Sequence, residues 1–340
     1  MNITFDEILS KTIERDSLNF EEAKFAMNEV MQGKVSSVKL AAWLTALRVK
    51  GETPDEIAGF ASSLRENSIR IQCSDPNCID TCGTGGDKAG TFNISTAAAF
   101  VAAGAGTTVA KHGNRAASSK SGSADILAEL GVKLDVSKDK IEKSLNENGI
   151  AFLFAQSLHP AMKNAAPVRK ELGFRTVFNF IGPLSNPAGI RRSIVGVPSD
   201  EFCMTIARAL LKLGFERAFI VHSKDGLDEI SISAPTHICE VVNKTILEYE
   251  FDPINYGIQR APLSAIKGGT PAENAEIMKL LLGGKLAGPL EDIVVINAAA
   301  GIIVYGKANS WQEAISLARQ SIRNGLALLK LKKLIEIYEK

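Results

Sequence analysis

Short apolar runs alternate with helical patterns along the middle of the chain, and this alternation constrains the fold more than any other feature. The apolar runs predict strands at 79–82, 107–111, 150–155, 193–197 and 218–222. Helical patterns follow at 95–103, 124–130, 137–149, 200–213, 273–282, 293–303 and 310–333. Strands that alternate with helices of about 10–15 residues are typical of a mostly parallel sheet with helices on its faces. We therefore predict an α/β fold here.

The first 70 residues carry helix signals with no strand between them. Asn19 with Glu22 and Thr53 with Glu56 match capping boxes, and we place a third N-cap at Ser37. We expect a small N-terminal all-helical domain at 1–70, completed by about 171–188. A larger α/β domain would comprise 71–170 and 189–340. The apolar segment 171–187 allows a helix that returns to the helical domain but does not require one.

Composition limits the kinds of ligand and compartment. Lys and Arg total 39 against 38 Asp and Glu, a net charge of +1, so an anionic ligand must be held by local geometry. The five cysteines lack C-x-x-C spacing, which argues against a disulfide scaffold or a zinc ribbon. We find no secretion signal and no apolar stretch near the ~20 residues of a membrane span, so we expect a cytoplasmic protein.

A glycine-rich loop follows the first predicted strand. The run Gly83-Thr84-Gly85-Gly86-Asp87 lets backbone N–H groups surround phosphate oxygens closely. Lys88 stands where a dinucleotide fingerprint needs its third glycine, and the residues after position 90 do not match a P-loop. The loop therefore indicates a phosphate site of another kind.

Two further polar segments belong to the same predicted edge of the sheet. Residues 93–96 open an alanine-rich helix, whose N-terminus suits a diphosphate. Residues 111–115 (Lys-His-Gly-Asn-Arg) follow the second predicted strand, with Lys120, Ser121 and Ser123 nearby. Ligands of open α/β sheets bind beyond the carboxyl ends of the strands, so we expect these segments to face the glycine loop.

Asp228 and Glu229 are adjacent carboxylates just after the last predicted strand. Such a pair is usually a solvated acidic turn. Beside a diphosphate it would instead supply hard oxygen ligands for Mg²⁺.

The ordered set of motifs resembles the anthranilate phosphoribosyltransferase family over nearly the whole chain. The matching segments are 80–87, 93–96, 111–115, 120–125, 159–162, 169, 182–187 and 228–229. The resemblance implies a glycosyltransferase of tryptophan biosynthesis that moves the 5-phosphoribosyl group from phosphoribosyl diphosphate (PRPP) to the amine of anthranilate. It also implies two Mg²⁺ ions per subunit and a homodimer joined through the helical domain.

The resemblance also implies roles for individual residues. The PRPP-binding positions are Gly83, Gly85, Gly86, Asp87, Thr91, Asn93, Ser95, Thr96, Lys111, Gly113, Asn114 and Ser123. The anthranilate-binding positions are Gly83, His112, Asn114, His159 and Arg169. The metal ligands are Ser95, Asp228 and Glu229. No catalytic residue is certain: His112 is a candidate acceptor for the amine proton, and the ortho carboxylate of the substrate is the alternative.

Three other functions stay open at this stage. A pyrimidine-nucleoside phosphorylase shares the architecture, but the carboxylate pair and residues 111–115 are harder to explain with free phosphate and a base. A catalytically silent phosphoribosyl-binding module would bind without turnover. A transferase for another aromatic amine is disfavoured by Asn114 and Arg169 but not excluded.

Overall fold

The computed structural model describes residues 3–87, 89–116 and 121–339, so Lys88 and Lys120 lie outside the described residues. The helices are α1 Phe5–Ile13, α2 Phe20–Met31, α3 Ser37–Lys50, α4 Pro54–Glu66, α5 Ile94–Gly104, α6 Ser123–Glu129, α7 Lys138–Asn148, α8 Ala155–Leu158, α9 Ala166–Leu172, α10 Phe178–Ile181, α11 Glu201–Lys212, α12 Pro271–Leu282, α13 Pro289–Tyr305, α14 Trp311–Arg323 and α15 Leu326–Glu339. The strands are β1 Ile79–Thr81, β2 Val109–Gly113, β3 Ile150–Phe154, β4 Arg192–Gly196, β5 Arg217–Ser223, β6 Thr236–Val242 and β7 Thr245–Phe251.

The seven strands form one sheet in the order β3-β2-β1-β4-β5-β6-β7. The first five strands are mutually parallel, and β6 and β7 extend the sheet as an antiparallel pair. The strand order reverses direction between β1 and β4, which is where open α/β sheets bind their ligands. The predicted α/β fold with a small helical region and a mostly parallel sheet is therefore confirmed.

Four helices, α1 to α4, precede the sheet, and their capping follows the sequence closely. The capping boxes Asn19–Glu22 and Thr53–Glu56 are both formed. The N-cap predicted at Ser37 is wrong by one residue, since Ser36 accepts the hydrogen bond from the Lys39 backbone N–H. Ser36 and Ser37 can both cap a helix with their hydroxyl groups, and the backbone conformation decides which of them does so.

Two later helices begin one residue before their predicted patterns, which start at 95 and 124. α5 begins at Ile94 with Asn93 as its N-cap, and α6 begins at Ser123 with Gly122 as its N-cap. At α6 the Asp125 carboxylate accepts the Gly122 N–H at 3.0 Å, so the acidic side chain three residues ahead fixes the start of the helix.

The sheet separates two apolar cores, and alternate residues of β5 face each of them. Phe219 and Val221 join the core with α5 and α13, whereas Ala218 and Ile220 join the core with α11. The second core continues into α2, α3 and α4, so the helical region packs on the α11 side of the sheet. The division at residues 1–70 with 171–188, against 71–170 and 189–340, stays a prediction.

The segment 171–187 is not one helix. α9 ends at Gly173, which has a left-handed backbone (φ +66°), and the chain forms only the single turn α10 before Gly182. Phe178 and Phe180 nevertheless belong to the same apolar core as the helical region. The single helix predicted at 310–333 is likewise wrong, because Gly325 (φ +69°) separates α14 from α15.

The long apolar helix α13 is buried against the sheet and α5. Within the described ranges, no helix is both long and apolar enough to cross a membrane.

A buried ion pair joins α3 to α4 in the helical region. The Lys50 ammonium lies 2.8 Å from the Glu56 carboxylate, with side chains 5% and 0% exposed. Glu56 also accepts the backbone N–H groups of Leu18 at 2.9 Å and Thr53 at 2.8 Å. One carboxylate therefore ties the chain before α2 to the end of α3 and the start of α4.

We predict that Glu56→Ala lowers the free energy of unfolding by about 3–5 kcal/mol, because it leaves the Lys50 charge and two backbone donors buried without their partner. Urea unfolding at neutral pH measures the change. Glu276→Gln, in an exposed pair with Lys279 on α12, is the matched control and should cost less than about 1 kcal/mol. Equal costs for the two variants would contradict this role of Glu56.

Candidate active site

The buried carboxylate of Asp80 organises the carboxyl ends of the central strands. It accepts backbone N–H groups from Thr81 at 2.7 Å and from His112 at 3.1 Å, and the Asn186 side-chain amide at 2.9 Å. Burial raises its pKa to about 6, and the nearby Lys111 ammonium opposes that rise. Asp80 thus joins the ends of β1 and β2 to residues 182–187.

The glycine loop leaves β1 and passes over β4. The Thr84 N–H donates to the Gly196 carbonyl at 2.8 Å, and Gly85 (φ +66°) and Gly86 (φ +100°) have left-handed backbones. A Cβ at Gly83 would lie 2.9 Å from an Asp228 oxygen. Glycine is needed here for both backbone conformation and close approach.

Three carboxylates gather beneath this loop. Asp228 interacts with the Asp87 carboxyl and with the Gly85 N–H, while Glu229 interacts with Asp228 and with the Ser95 N–H. Burial, followed by these like charges, raises the pKa of Asp228 to about 7 and that of Glu229 to about 8. Oxygen donors in such a group are the ligands that Mg²⁺ prefers, so the residues fit this cation chemically.

Lys111 supplies a buried cation at the same place. Its side chain is only 4% exposed, and its ammonium donates to the Thr81 carbonyl. Its charge lowers the pKa of both Asp80 and Glu229, opposing the effect of burial. This contact places the Lys111 ammonium at the end of β1, two residues before the glycine loop.

The N-terminus of α5 meets the segment that follows β2. The Asn93 side-chain amide donates to the Ser121 carbonyl at 3.1 Å, and Asn274 donates to the Asn93 side-chain oxygen at 3.0 Å. The Ser123 hydroxyl donates to the Asn114 carbonyl at 3.3 Å. These contacts bring the second and third polar segments together.

Three other predicted PRPP-binding positions, Thr91, Thr96 and Gly113, take part in burial, backbone pairing or close packing. Thr96 is buried within α5, and Thr91 pairs through its backbone with Lys267. A Cβ at Gly113 would overlap Ser123 and the Phe152 ring, so close packing requires glycine there.

His112 and His159 form a buried pair with ring centroids 5.1 Å apart. Within the described residues, neither Nε2 atom has a hydrogen-bond partner. Burial lowers the pKa of His159 to about 4; burial and then His159 lower that of His112 well below its usual range. Both rings are therefore neutral at pH 7, with polar atoms available to a ligand.

Arg169 lies on α9, with its guanidinium 4.9 Å from the centre of the Phe178 ring. Desolvation lowers its pKa. The contacts of the described residues do not join Arg169 to the histidine pair, so their common role stays a prediction.

Sequence reasoning missed Arg175. Its guanidinium donates to the Gly85 carbonyl at 2.7 Å and lies where a side chain at Gly86 would be. The charge of Asp228 raises its pKa, although burial lowers that pKa more. The only sequence signal was its place eight residues before Pro183 in an apolar segment, which does not indicate contact with the glycine loop.

Comparison with known proteins supports this assembly of residues. The family model described as glycosyl transferase family, a/b domain, matches residues 75–328, and the helical bundle domain model of the same family matches residues 6–68. The anthranilate phosphoribosyltransferase of Pelotomaculum thermopropionicum is 49% identical over 96% of this chain and 95% of its own length. This chain belongs to the anthranilate phosphoribosyltransferase family.

Solved structures of anthranilate phosphoribosyltransferases have the same fold. The enzyme from Thermus thermophilus matches with a TM-score of 0.94 at 43% identity, covering 98% of this chain and 99% of that chain. The enzyme from Saccharomyces cerevisiae in complex with PRPP and Mg matches with a TM-score of 0.91 at 30% identity, covering 100% and 99%. The family resemblance stated from the motifs is thus confirmed.

We predict that His159 makes the stability of this family member depend on pH. Its pKa in the folded chain is about 4, below the usual 6.5. Between these two pH values the His159 ring therefore binds a proton in the unfolded chain but not in the folded chain. Stability should therefore fall as pH drops from about 6.5 to about 4, and His159 should account for about 2 kcal/mol of that loss at pH 5.

Urea unfolding at pH 7.5 and pH 5 measures the effect in the wild type and in His159→Gln. The variant should lose less stability between the two pH values. An identical loss in both proteins would show that the His159 ring protonates equally in the folded and unfolded states.

Proposed function

We propose that the chain transfers the 5-phosphoribosyl group from PRPP to the amino group of anthranilate. The products are N-(5-phosphoribosyl)anthranilate and diphosphate, and the reaction belongs to tryptophan biosynthesis. One observation carries the proposal. The glycine loop, the start of α5 and three carboxylates lie together at the carboxyl ends of the central strands β1 and β4. That combination suits a diphosphate ester held with a divalent cation.

PRPP would be held mainly by backbone and neutral donors. The proposed set is Gly83, Gly85, Gly86, Asp87, Thr91, Asn93, Ser95, Thr96, Lys111, Gly113, Asn114 and Ser123. Donors oriented before the substrate arrives stabilise the negative charge that develops on the leaving diphosphate. Lys111 is the buried cation of this set, which agrees with a chain whose net charge is only +1.

Mg²⁺ would be held by Ser95, Asp228 and Glu229, and we propose two ions per subunit. When bound, Mg²⁺ neutralises charge on the diphosphate as the bond to the sugar breaks. Burial, and then the negative charge of neighbouring carboxylates, raises the pKa values of Asp228 and Glu229, so a bound cation would stabilise their ionised forms. The Asp87 carboxyl is one of the neighbours that raise the pKa of Asp228.

Anthranilate would lie beside Gly83, His112, Asn114, His159 and Arg169. Its nitrogen lone pair forms the bond to the anomeric carbon while the carbon–diphosphate bond breaks, and the amine then loses one proton. Arg169 would bind the carboxylate of the substrate, and the neutral His112 ring is a candidate proton acceptor. The unpartnered Nε2 atoms of the histidine pair support a polar ligand at this place.

We also propose a homodimer joined through the helical domain. An apolar groove between α1 and α3 is lined by Ile13, Ala42 and Val49 among others. Ile13 and Val49 in this groove are 61% and 65% exposed, and exposed aliphatic side chains that share a groove are typical of an interaction surface.

A cytoplasmic location also stays a proposal. It is supported by the five cysteines, which are all free thiols.

The decisive test is incubation of the protein with PRPP, Mg²⁺ and anthranilate while anthranilate fluorescence is followed. Loss of fluorescence that requires all three components is the expected result. Binding of PRPP without turnover would favour a silent binding module. Phosphorolysis of thymidine instead would favour a nucleoside phosphorylase.

We predict that Arg169→Ala raises the KM for anthranilate about 10- to 100-fold, with little effect on the KM for PRPP, because charge-assisted hydrogen bonds to the carboxylate are lost. Steady-state kinetics with each substrate varied in turn measures both constants. Arg191→Ala, at an exposed arginine that pairs with Glu216, is the control and should change neither. Equal increases in both constants would remove Arg169 from the anthranilate site.

We predict that Asp228→Asn with Glu229→Gln raises the Mg²⁺ concentration for half-maximal rate at least about tenfold, because two anionic ligands are lost. A Mg²⁺ titration of the rate measures the change, with Glu250→Gln on β7 as the control. Without Mg²⁺ the double variant should unfold no more easily than the wild type, since the substitutions relieve like-charge repulsion. An unchanged Mg²⁺ titration would place the metal elsewhere.

A further inference from the structure

A second group of metal-ligating side chains lies where β6, β7 and the start of α11 meet. His237 and Cys239 are two residues apart on β6 and therefore face the same side of the sheet. Glu248 on β7 is the register partner of Cys239. The antiparallel pairing thus places an imidazole, a thiol and a carboxylate side by side, and none of them belongs to the proposed substrate site.

The three ligand atoms form a triangle of suitable size. The Cys239 Sγ lies 3.9 Å from the His237 Nε2 and 3.9 Å from the Glu248 Oε2, and the Nε2 and Oε2 atoms are 3.4 Å apart. In a tetrahedral zinc site with bonds of about 2.0–2.3 Å, neighbouring ligand atoms are roughly 3.3–3.6 Å apart. Shifts of a few tenths of an ångström would complete the geometry.

The other side of the His237 ring is already oriented. Its Nδ1 contacts the carboxylate of Asp200, the N-cap residue of α11. Histidines that bind metals commonly donate their second ring N–H to a carboxylate, which fixes the ring and directs the other nitrogen to the metal. Asp200 therefore leaves Nε2 facing Cys239 and Glu248.

Cys203 on α11 packs beside this triangle but is not part of it. It is fully buried, and its thiol groups with Asp200 and His237 rather than with Cys239 and Glu248. A hydrogen bond with Cys239, and then burial, raise the pKa of the Cys203 thiol. Water is therefore left as the fourth ligand, as in zinc sites that have three protein ligands.

The donor set also selects the metal. One sulfur, one imidazole nitrogen and one carboxylate oxygen suit Zn²⁺ or a similar divalent cation, whereas Mg²⁺ prefers oxygen ligands alone. The site is reachable from solvent, because the side chains of Asp200 and Glu248 are 64% and 52% exposed.

We propose that His237, Cys239 and Glu248 bind Zn²⁺, with water as the fourth ligand and with Asp200 as the residue that positions the His237 ring. The site is separate from the proposed phosphoribosyl transfer and does not depend on it. It would fasten β6 to β7, and to α11 through Asp200, at the end of the sheet.

Titration of the full-length reduced protein with Co²⁺ in excess Mg²⁺ tests the site. A near-ultraviolet sulfur-to-cobalt absorption band should saturate at one Co²⁺ per chain, and Zn²⁺ should abolish it. Cys239→Ser should lose the band. Asp200→Asn should weaken Co²⁺ binding about 10- to 100-fold while keeping the band at saturation.

Two further variants make the test independent of folding defects. Glu248→Gln changes an exposed side chain and should also weaken Co²⁺ binding, with its circular dichroism spectrum unchanged. Cys73→Ser, at the other pair of neighbouring thiols, Cys73 and Cys78, is the matched control and should behave as the wild type. No band in the wild type, or a band lost only in Cys73→Ser, would overturn the proposal.

Discussion

The Asp80 side chain is excluded from water, yet it accepts hydrogen bonds from its neighbour Thr81, from His112 on β2 and from Asn186. A buried carboxylate is costly unless its oxygens are satisfied, so these bonds and the nearby Lys111 charge are required together. They fix the position of the end of β1, of the His112 backbone and of Asn186 relative to one another. The proposed PRPP and anthranilate sites therefore share one buried anchor.

Charge near this anchor is unevenly distributed although the chain as a whole is almost neutral. Asp87, Asp228 and Glu229 lie together, while Lys111 and Arg175 are the cations that influence them. Burial, and then repulsion among these carboxylates, raises the pKa values of Asp228 and Glu229. A divalent cation would offset the local negative charge, and an anionic substrate could then bind without a general surplus of lysine and arginine.

The sequence predicted those parts of the fold that have strong local signals. The five buried parallel strands were predicted because each is a continuous apolar run. The hairpin of β6 and β7 was missed because its turn, at Asn243 and Lys244, lacks the glycine that usually marks such a turn, although both residues have positive φ. Gly325 was missed as a helix end within a long helical pattern. The site motifs were found because each lies in one short segment. Arg175 was not, since its contact with Gly85 depends on tertiary structure alone.

The segment 171–188 has a larger part in the site than its irregular backbone suggests. Phe178 and Phe180 belong to the apolar core of the helical region, while Arg175 bonds to the glycine loop and Asn186 to Asp80. One segment thus contacts the helical region, the glycine loop and the buried anchor. A movement of the helical region against the sheet would have to break these contacts or carry the glycine loop with it. Packing in the helical region is therefore coupled to the geometry of the proposed PRPP site.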